Sequence, residues 1–193
     1  MATETDRTGT TLQGQVLLTI ARASIAQALG QPAPATAEHG TWLQQPGACF
    51  VTLTQGGELR GCIGSLQAHR PLLADVKANA VAAALHDPRF APLRLPELAD
   101  TDIEVSLLSA LEPLHFASEA DALAQLRPNA DGVVFAYQGY RSTFLPQVWE
   151  QLPSADDFMA HLKRKAGLSA DFWAPGVRLQ RYTVAKFKEG DAP

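Results

Sequence analysis

Apolar residues recur along this chain with two different periods, and the switches between them mark its elements. Over residues 12–29, Leu17, Ile20, Ala21, Ser24, Ile25 and Ala28 fall on one face at helical spacing, with Gly30 and Pro32 as stop signals. Residues 31–46, rich in Pro, Ala and Gly, read as a surface connection. Two alternating runs follow, 48–54 and 58–65, separated by Gln55-Gly56-Gly57, which predicts a β-hairpin. Pro71 opens a second helix over 72–85, with Leu72, Val76, Ala80 and Ala83 inward, and Asp87-Pro88 stops it. Over 102–109, Ile103, Val105 and Leu107 alternate with Glu104 and Ser106, which predicts a half-buried strand with one polar face.

The second half repeats this order, with a helix over 118–126, hairpin strands over 133–137 and 140–145 around Gln138-Gly139, a helix over 155–166 and a strand over 177–187. Both halves run helix, hairpin, helix, strand. The expected fold is therefore α+β, a single domain over 12–188 made of two similar subdomains (about 12–110 and 111–188), with antiparallel sheet flanked by helices. Slight identity between the halves leaves two origins open, an internal duplication or two ordinary hairpin-helix units in series. The polar residues 1–11 are expected to form a disordered tail.

Register decides what the first hairpin presents, because a one-residue slip moves every side chain to the other face. With a three-residue loop over 55–57, Leu53 faces Leu59, Val51 faces Gly61 and Cys49 faces Ile63, one consistently apolar surface. A two-residue loop at Gly56-Gly57 instead pairs Val51 with Cys62 and Leu53 with Arg60, which sets a charge among core residues. The three-residue loop is the expected one, with Gly57 left-handed beside a bulge. Cys49 then lies in the core, and Cys62 shares the opposite face with Arg60, Thr52 and Phe50, so the two cysteines cannot form a disulfide.

That face is the candidate site. Arg60 and Cys62, two apart on a strand, are expected to emerge together, and a fixed cation favours the reactive thiolate. The alternative is that Cys62 is a small buried residue and Arg60 bonds a carboxylate or helix end. Gly61 and Gly64 mark close approach of backbone to a ligand or, equally, packing of the next helix. If the strand over 102–109 neighbours the hairpin, Glu104 and Ser106 line one cleft with Arg60 and Cys62, and Glu104 orients Arg60 or exchanges protons. The bland form of the same pattern is a solvated face or an Arg60–Glu104 ion pair. Arg89 either adds an anion contact or, with Asp87, supplies the hydrogen-bonding members of a turn.

Composition narrows the function classes. The chain has 193 residues, 46% hydrophobic and 19% charged, enough for a substantial core. No apolar run approaches the roughly 20 residues of a membrane span, and residues 1–11 lack the basic-then-apolar order of a signal peptide, so a cytoplasmic location is expected. Two cysteines fit a reducing compartment, and a net charge of −4 lacks the basic footprint of a nucleic-acid binder. His39, His69, His115 and His161 are scattered without ligand spacing, so no metal is expected. There is no phosphate loop, dinucleotide fingerprint, Gly-x-Ser-x-Gly elbow or Cys-x-x-Cys pair, and no cofactor is expected.

Six strings carry a family resemblance when taken in order. They are Val51-Thr52-Leu53, Glu58-Leu59-Arg60-Gly61-Cys62-Ile63-Gly64, Asp87-Pro88-Arg89-Phe90, Ile103-Glu104-Val105-Ser106, Phe144-Leu145-Pro146-Gln147-Val148 and Lys165-Ala166-Gly167-Leu168. Over residues 14–188 the chain resembles the AMMECR family, whose bacterial and archaeal members are called AmmeMemoRadiSam system protein A. The resemblance implies an α+β fold of two subdomains with a cleft between them, and partnership with a Memo-like protein and a radical SAM protein. It implies no particular reaction. By motif match the site residues carried over are Arg60, Cys62, Glu104 and Ser106. With Thr52, Arg89, Gly61 and Gly64 as binding positions, the expected activity is a cysteine-centred enzyme acting on a small anionic metabolite or modified residue. The alternative is a non-catalytic regulatory module that binds a ligand, protein or RNA through the cleft between the subdomains.

Overall fold

The computed structural model describes residues 4–32 and 36–190, with side chains from residue 12 onward. Its elements in chain order are α1 (Glu4–Ala28), β1 (Pro46–Gly47), β2 (Cys49–Gln55), β3 (Glu58–Gly64), β4 (Arg70–Pro71), α2 (Leu72–Leu85), β5 (Thr101–Leu108), β6 (Glu112–Pro113), α3 (Glu119–Ala124), β7 (Gly132–Tyr137), β8 (Tyr140–Phe144), α4 (Ala155–Lys165), β9 (Arg178–Tyr182) and β10 (Val184–Lys188). The fold is α+β, as expected. The chain divides into two compact units, one holding the described residues up to Leu108 and from Ala185 on, the other Ser109–Val184.

The first unit packs α1 and α2 on one face of a four-stranded sheet ordered β10-β5-β2-β3. Alternation along the strands makes that face apolar. Cys49, Val51, Leu53, Ile103 and Val105 are fully buried against Leu17, Ile20, Ala21 and Ile25 of α1 and Leu72, Val76, Ala80 and Ala83 of α2. Helix α1 begins at Glu4, so residues 4–11 of the expected tail are helical, while residues 1–3 lie outside the described residues.

The expected register of the first hairpin is corrected. Its turn is the two-residue Gly56-Gly57, both left-handed with φ of 56° and 87°, the type I′ geometry that matches strand twist. Thr52 pairs with Cys62, Leu53 with Gly61 and Thr54 with Leu59, with a bulge that leaves Arg60 as the extra residue. The bulge resolves the conflict that argued against a two-residue turn. Absorbing Arg60 into it keeps the charge off Leu53 and leaves Cys62 on the face away from the helices.

The second unit has the same plan. Its sheet order is β6-β9-β7-β8, with Val133, Phe135, Leu179 and Trp149 in a core that includes Phe158, Met159 and Leu162 of α4. Aligned by their turns, Leu53–Gly61 corresponds to Phe135–Ser142, and Thr52–Cys62 to Val134–Thr143. The run over 177–187, expected as one strand, is two. It breaks at Thr183, which exchanges backbone and side-chain hydrogen bonds with Ser109, and β10 then joins the first sheet. Packing explains the break, since Leu179 belongs to the second core and Phe187 packs against the first. Each sheet is thus completed by a strand that follows the other unit's third strand in sequence, β6 after β5 and β10 after β9.

Candidate functional site

Three strands carry the candidate site on the face of the first sheet away from its helices. Cys62 of β3, Thr52 of β2 and Glu104 of β5 stand in one row across the sheet, and Gly64, Phe50 and Ser106 form the next. The Thr52 hydroxyl donates to Cys62 Sγ at 3.3 Å. That closeness follows from the ladder. The Cys62 N–H and C=O both point away from β2, so Thr52–Cys62 is a non-hydrogen-bonded pair, the kind whose side chains approach most closely. Glu104 is half-buried and its Oε1 accepts from Ser106 Oγ at 3.3 Å.

Strand β3 is the sheet's edge, and its exposed groups at Cys62 are taken by the turn after α2. Asp87, 4% exposed, accepts the Cys62 N–H at 2.9 Å, while Arg89 Nη2 donates to the Cys62 carbonyl at 3.2 Å. The two side chains are joined to each other, with Arg89 Nη2 at 2.7 Å and Nε at 3.0 Å from the Asp87 carboxylate. Arg89 also lies over the Phe90 ring, 5.4 Å from its centroid. Hydrogen bonds from Arg89 and from the Cys62 N–H hold the Asp87 carboxyl far below the ordinary carboxylate range. The Arg89 guanidinium is raised, chiefly by Asp87 and further by the charge and side chain of Cys62. The cation beside the thiol is therefore Arg89, whose side chain is 54% exposed and open to a ligand.

The remaining predicted residues divide. Arg60 does not emerge with Cys62: as the bulge residue it is turned to Glu97, 3.8 Å away, with its side chain 15% exposed. It forms no pair with Glu104; Thr52 stands opposite Glu104 in the sheet. Gly61 faces α2, where an added Cβ would lie 2.2 Å from the Ala83 carbonyl oxygen, and at Gly64 a Cβ would meet Phe50 Cδ1 at 2.3 Å. Both close approaches are to the protein's own atoms. Cys49 is buried, and burial pushes its thiol far up from the ordinary range.

A second polar cluster anchors the open end of the hairpin, and the pattern reading passed over it. The Asp75 carboxylate of α2, 1% exposed, accepts from the Cys49 N–H, Ser65 Oγ, Arg70 Nε and Asn79 Nδ2 at 2.7–2.9 Å. The signal was present as two polar residues four apart, Asp75 and Asn79, inside the buried stripe of α2. Among the described residues no group of three or more His, Cys, Asp or Glu is placed to hold a metal ion, and no helix is long and apolar enough to cross a membrane.

The depressed Asp87 carboxyl links stability to pH. Unfolding returns it to an ordinary value of about 3.9, so its contribution is complete above that value and is lost as pH falls through the window below it. Asp87→Asn lacks this group. The gap in thermal midpoint between wild type and Asp87→Asn is expected to narrow from about pH 5 to about pH 2. A gap constant over that range contradicts the assignment.

Known proteins resemble this chain in sequence and in fold. A family model described as AMMECR1 matches residues 18–187. A protein of Methanothermobacter thermautotrophicus is 39% identical over 146 residues, covering 72% of this chain and 74% of that one. One from Thermotoga maritima is 37% identical over 141 residues, 72% of this chain and 76% of the other. The crystal structure of uncharacterized protein PH0010 from Pyrococcus horikoshii matches with a TM-score of 0.74 at 28% identity, covering 93% of both chains. None of these names states an activity.

Proposed function

This chain belongs to the AMMECR1 family, and from that premise we propose that it is a cysteine-centred enzyme acting on a small anionic ligand held on the outer face of its first sheet. The observation that carries the reading is the surrounding of Cys62 Sγ, which accepts from the Thr52 hydroxyl on one side and has the Arg89 guanidinium fixed to its own residue's carbonyl on the other. Arg89 takes the part first expected of Arg60, and its exposed head meets the ligand's anion. Glu104, held by Ser106 in the same row as Cys62, exchanges or orients protons on the ligand. As the family resemblance implies, the protein works in the cytoplasm with a Memo-like and a radical SAM partner, and co-purification from cells tests that part.

One observation favours a second reading, a ligand-binding module without chemistry. The Cys62 N–H is occupied by Asp87, so the amide that a nucleophile's own residue contributes to an oxyanion site in acyl transfer is not free here. Alkylation of the native protein separates the two. Cys62 is expected to react with iodoacetamide at least about tenfold faster than Cys49, whose thiol is buried. A Cys62 that stays unmodified until the protein unfolds rules out the enzyme reading. A Cys62→Ser protein that retains full function in cells does the same and leaves the binding module.

A further inference from the structure

We infer that Asp87 is a positioning residue for the Cys62 thiol, acting through the Cys62 backbone and through Arg89; the inference rests on the proposed role of Cys62. An edge strand ordinarily leaves its outward N–H and C=O groups to water, and its backbone is correspondingly free to move. At Cys62 a turn stands in for the missing neighbour strand. Asp87 supplies the acceptor and Arg89 the donor, and Pro88 between them fixes the turn. The carboxylate is fully engaged. Oδ1 takes the Arg89 N–H and Nε, and Oδ2 takes the Cys62 N–H and Arg89 Nη2. A guanidinium gripped through two nitrogens has a fixed plane, so Asp87 sets at once the backbone from which Sγ projects and the cation beside it.

The second unit serves as an internal control for what the fold itself requires. Thr143 of β8 occupies the position that corresponds to Cys62, also on an edge strand. Its carbonyl accepts from Lys165 Nζ at 3.0 Å, a cation from the last turn of the packed helix, where Arg89 comes from the turn just after α2. The cation on the edge carbonyl is therefore common to both units. What the first unit adds is the buried carboxylate on the N–H, at the position where the thiol stands. Among the described residues this feature is confined to the unit that carries the thiol, and the thiol rather than the fold explains it.

The test compares how an anionic and a neutral reagent alkylate Cys62, using iodoacetate and iodoacetamide on the full chain. A fixed cation near Sγ raises the iodoacetate to iodoacetamide rate ratio above that of a free thiol. Asp87→Asn is expected to lower this ratio by about threefold, because the guanidinium is no longer held. Lys165→Gln, the matching change in the second unit, is expected to leave it unchanged. Should Asp87→Asn fail to fold, Arg89→Lys keeps the charge but cannot span Asp87 and the Cys62 carbonyl in one plane, and the same fall is expected. A ratio equal to wild type in the folded variants, whatever their thermal midpoints, overturns the inference and leaves Asp87 as an edge cap. A native Cys62 inert to iodoacetamide overturns the thiol reading itself, and the positioning role with it.

Discussion

Gly61→Ala is expected to destabilise the protein by about 2–3 kcal/mol, the cost of overpacking at a site with no room to relax. The clash is with backbone: the added Cβ would lie 2.2 Å from the Ala83 carbonyl oxygen, inside α2. Relief requires lifting α2 from β2 and β3, which disturbs the packing of Ala80 and Ala83 in the main core. The corresponding residue of the second unit shows the same approach at a more generous distance, since Ser142 Oγ donates to the Leu162 carbonyl of α4 at 2.6 Å. Urea unfolding checks the figure. The midpoint should fall with an unchanged slope, and a variant as stable as wild type means that the hairpin slides away from α2 at little cost.

Asp75→Ala is expected to cost still more, about 3–5 kcal/mol, because it removes a buried carboxylate shared by donors on four different segments. The Cys49 N–H loses its acceptor in the buried interior, while Asn79 Nδ2 keeps the Cys49 carbonyl and Ser65 Oγ. Arg70, with a side chain 41% exposed, regains solvent and adds little to the loss. For a chain of this length each kcal/mol moves the thermal midpoint by about 2–4 °C, so a drop of roughly 10 °C is the expected reading. A drop of about 2 °C or less contradicts the assignment of Asp75 as the hairpin's anchor.

Period alone located most elements, because both helices of the first unit and the strand over 102–109 bury one clean stripe. Leu72, Val76, Ala80 and Ala83 are buried as the pattern requires, and the outer face of β5 carries Glu104 and Ser106. Register was harder to read. Alternation cannot announce a bulge, and the single extra residue at Arg60 moved the predicted cation from the thiol to Glu97. The sequence offers Arg89 as an anion contact or a turn member, and it is bonded as a turn member while its guanidinium stands beside Cys62. What linear spacing does not reveal is that a turn 25 residues downstream reaches the edge of β3. The break at Thr183 was hidden for a similar reason, since two strands of one alternating run serve different cores.

The reciprocal completion of the two sheets has a consequence for how the chain is made. As synthesis proceeds, β5 emerges with one neighbour, β2, and its other edge stays open until residues 184–188 follow some 75 residues later. An open edge with a buried apolar face is a template for pairing with another chain. The closing strand arrives last, and Glu189 locks it there by donating its N–H to the Ile103 carbonyl and gripping Arg22. Truncation before Val184 thus leaves the half that carries Cys62 without its closing strand, and a nascent chain stalled at that point exposes the same edge to aggregation.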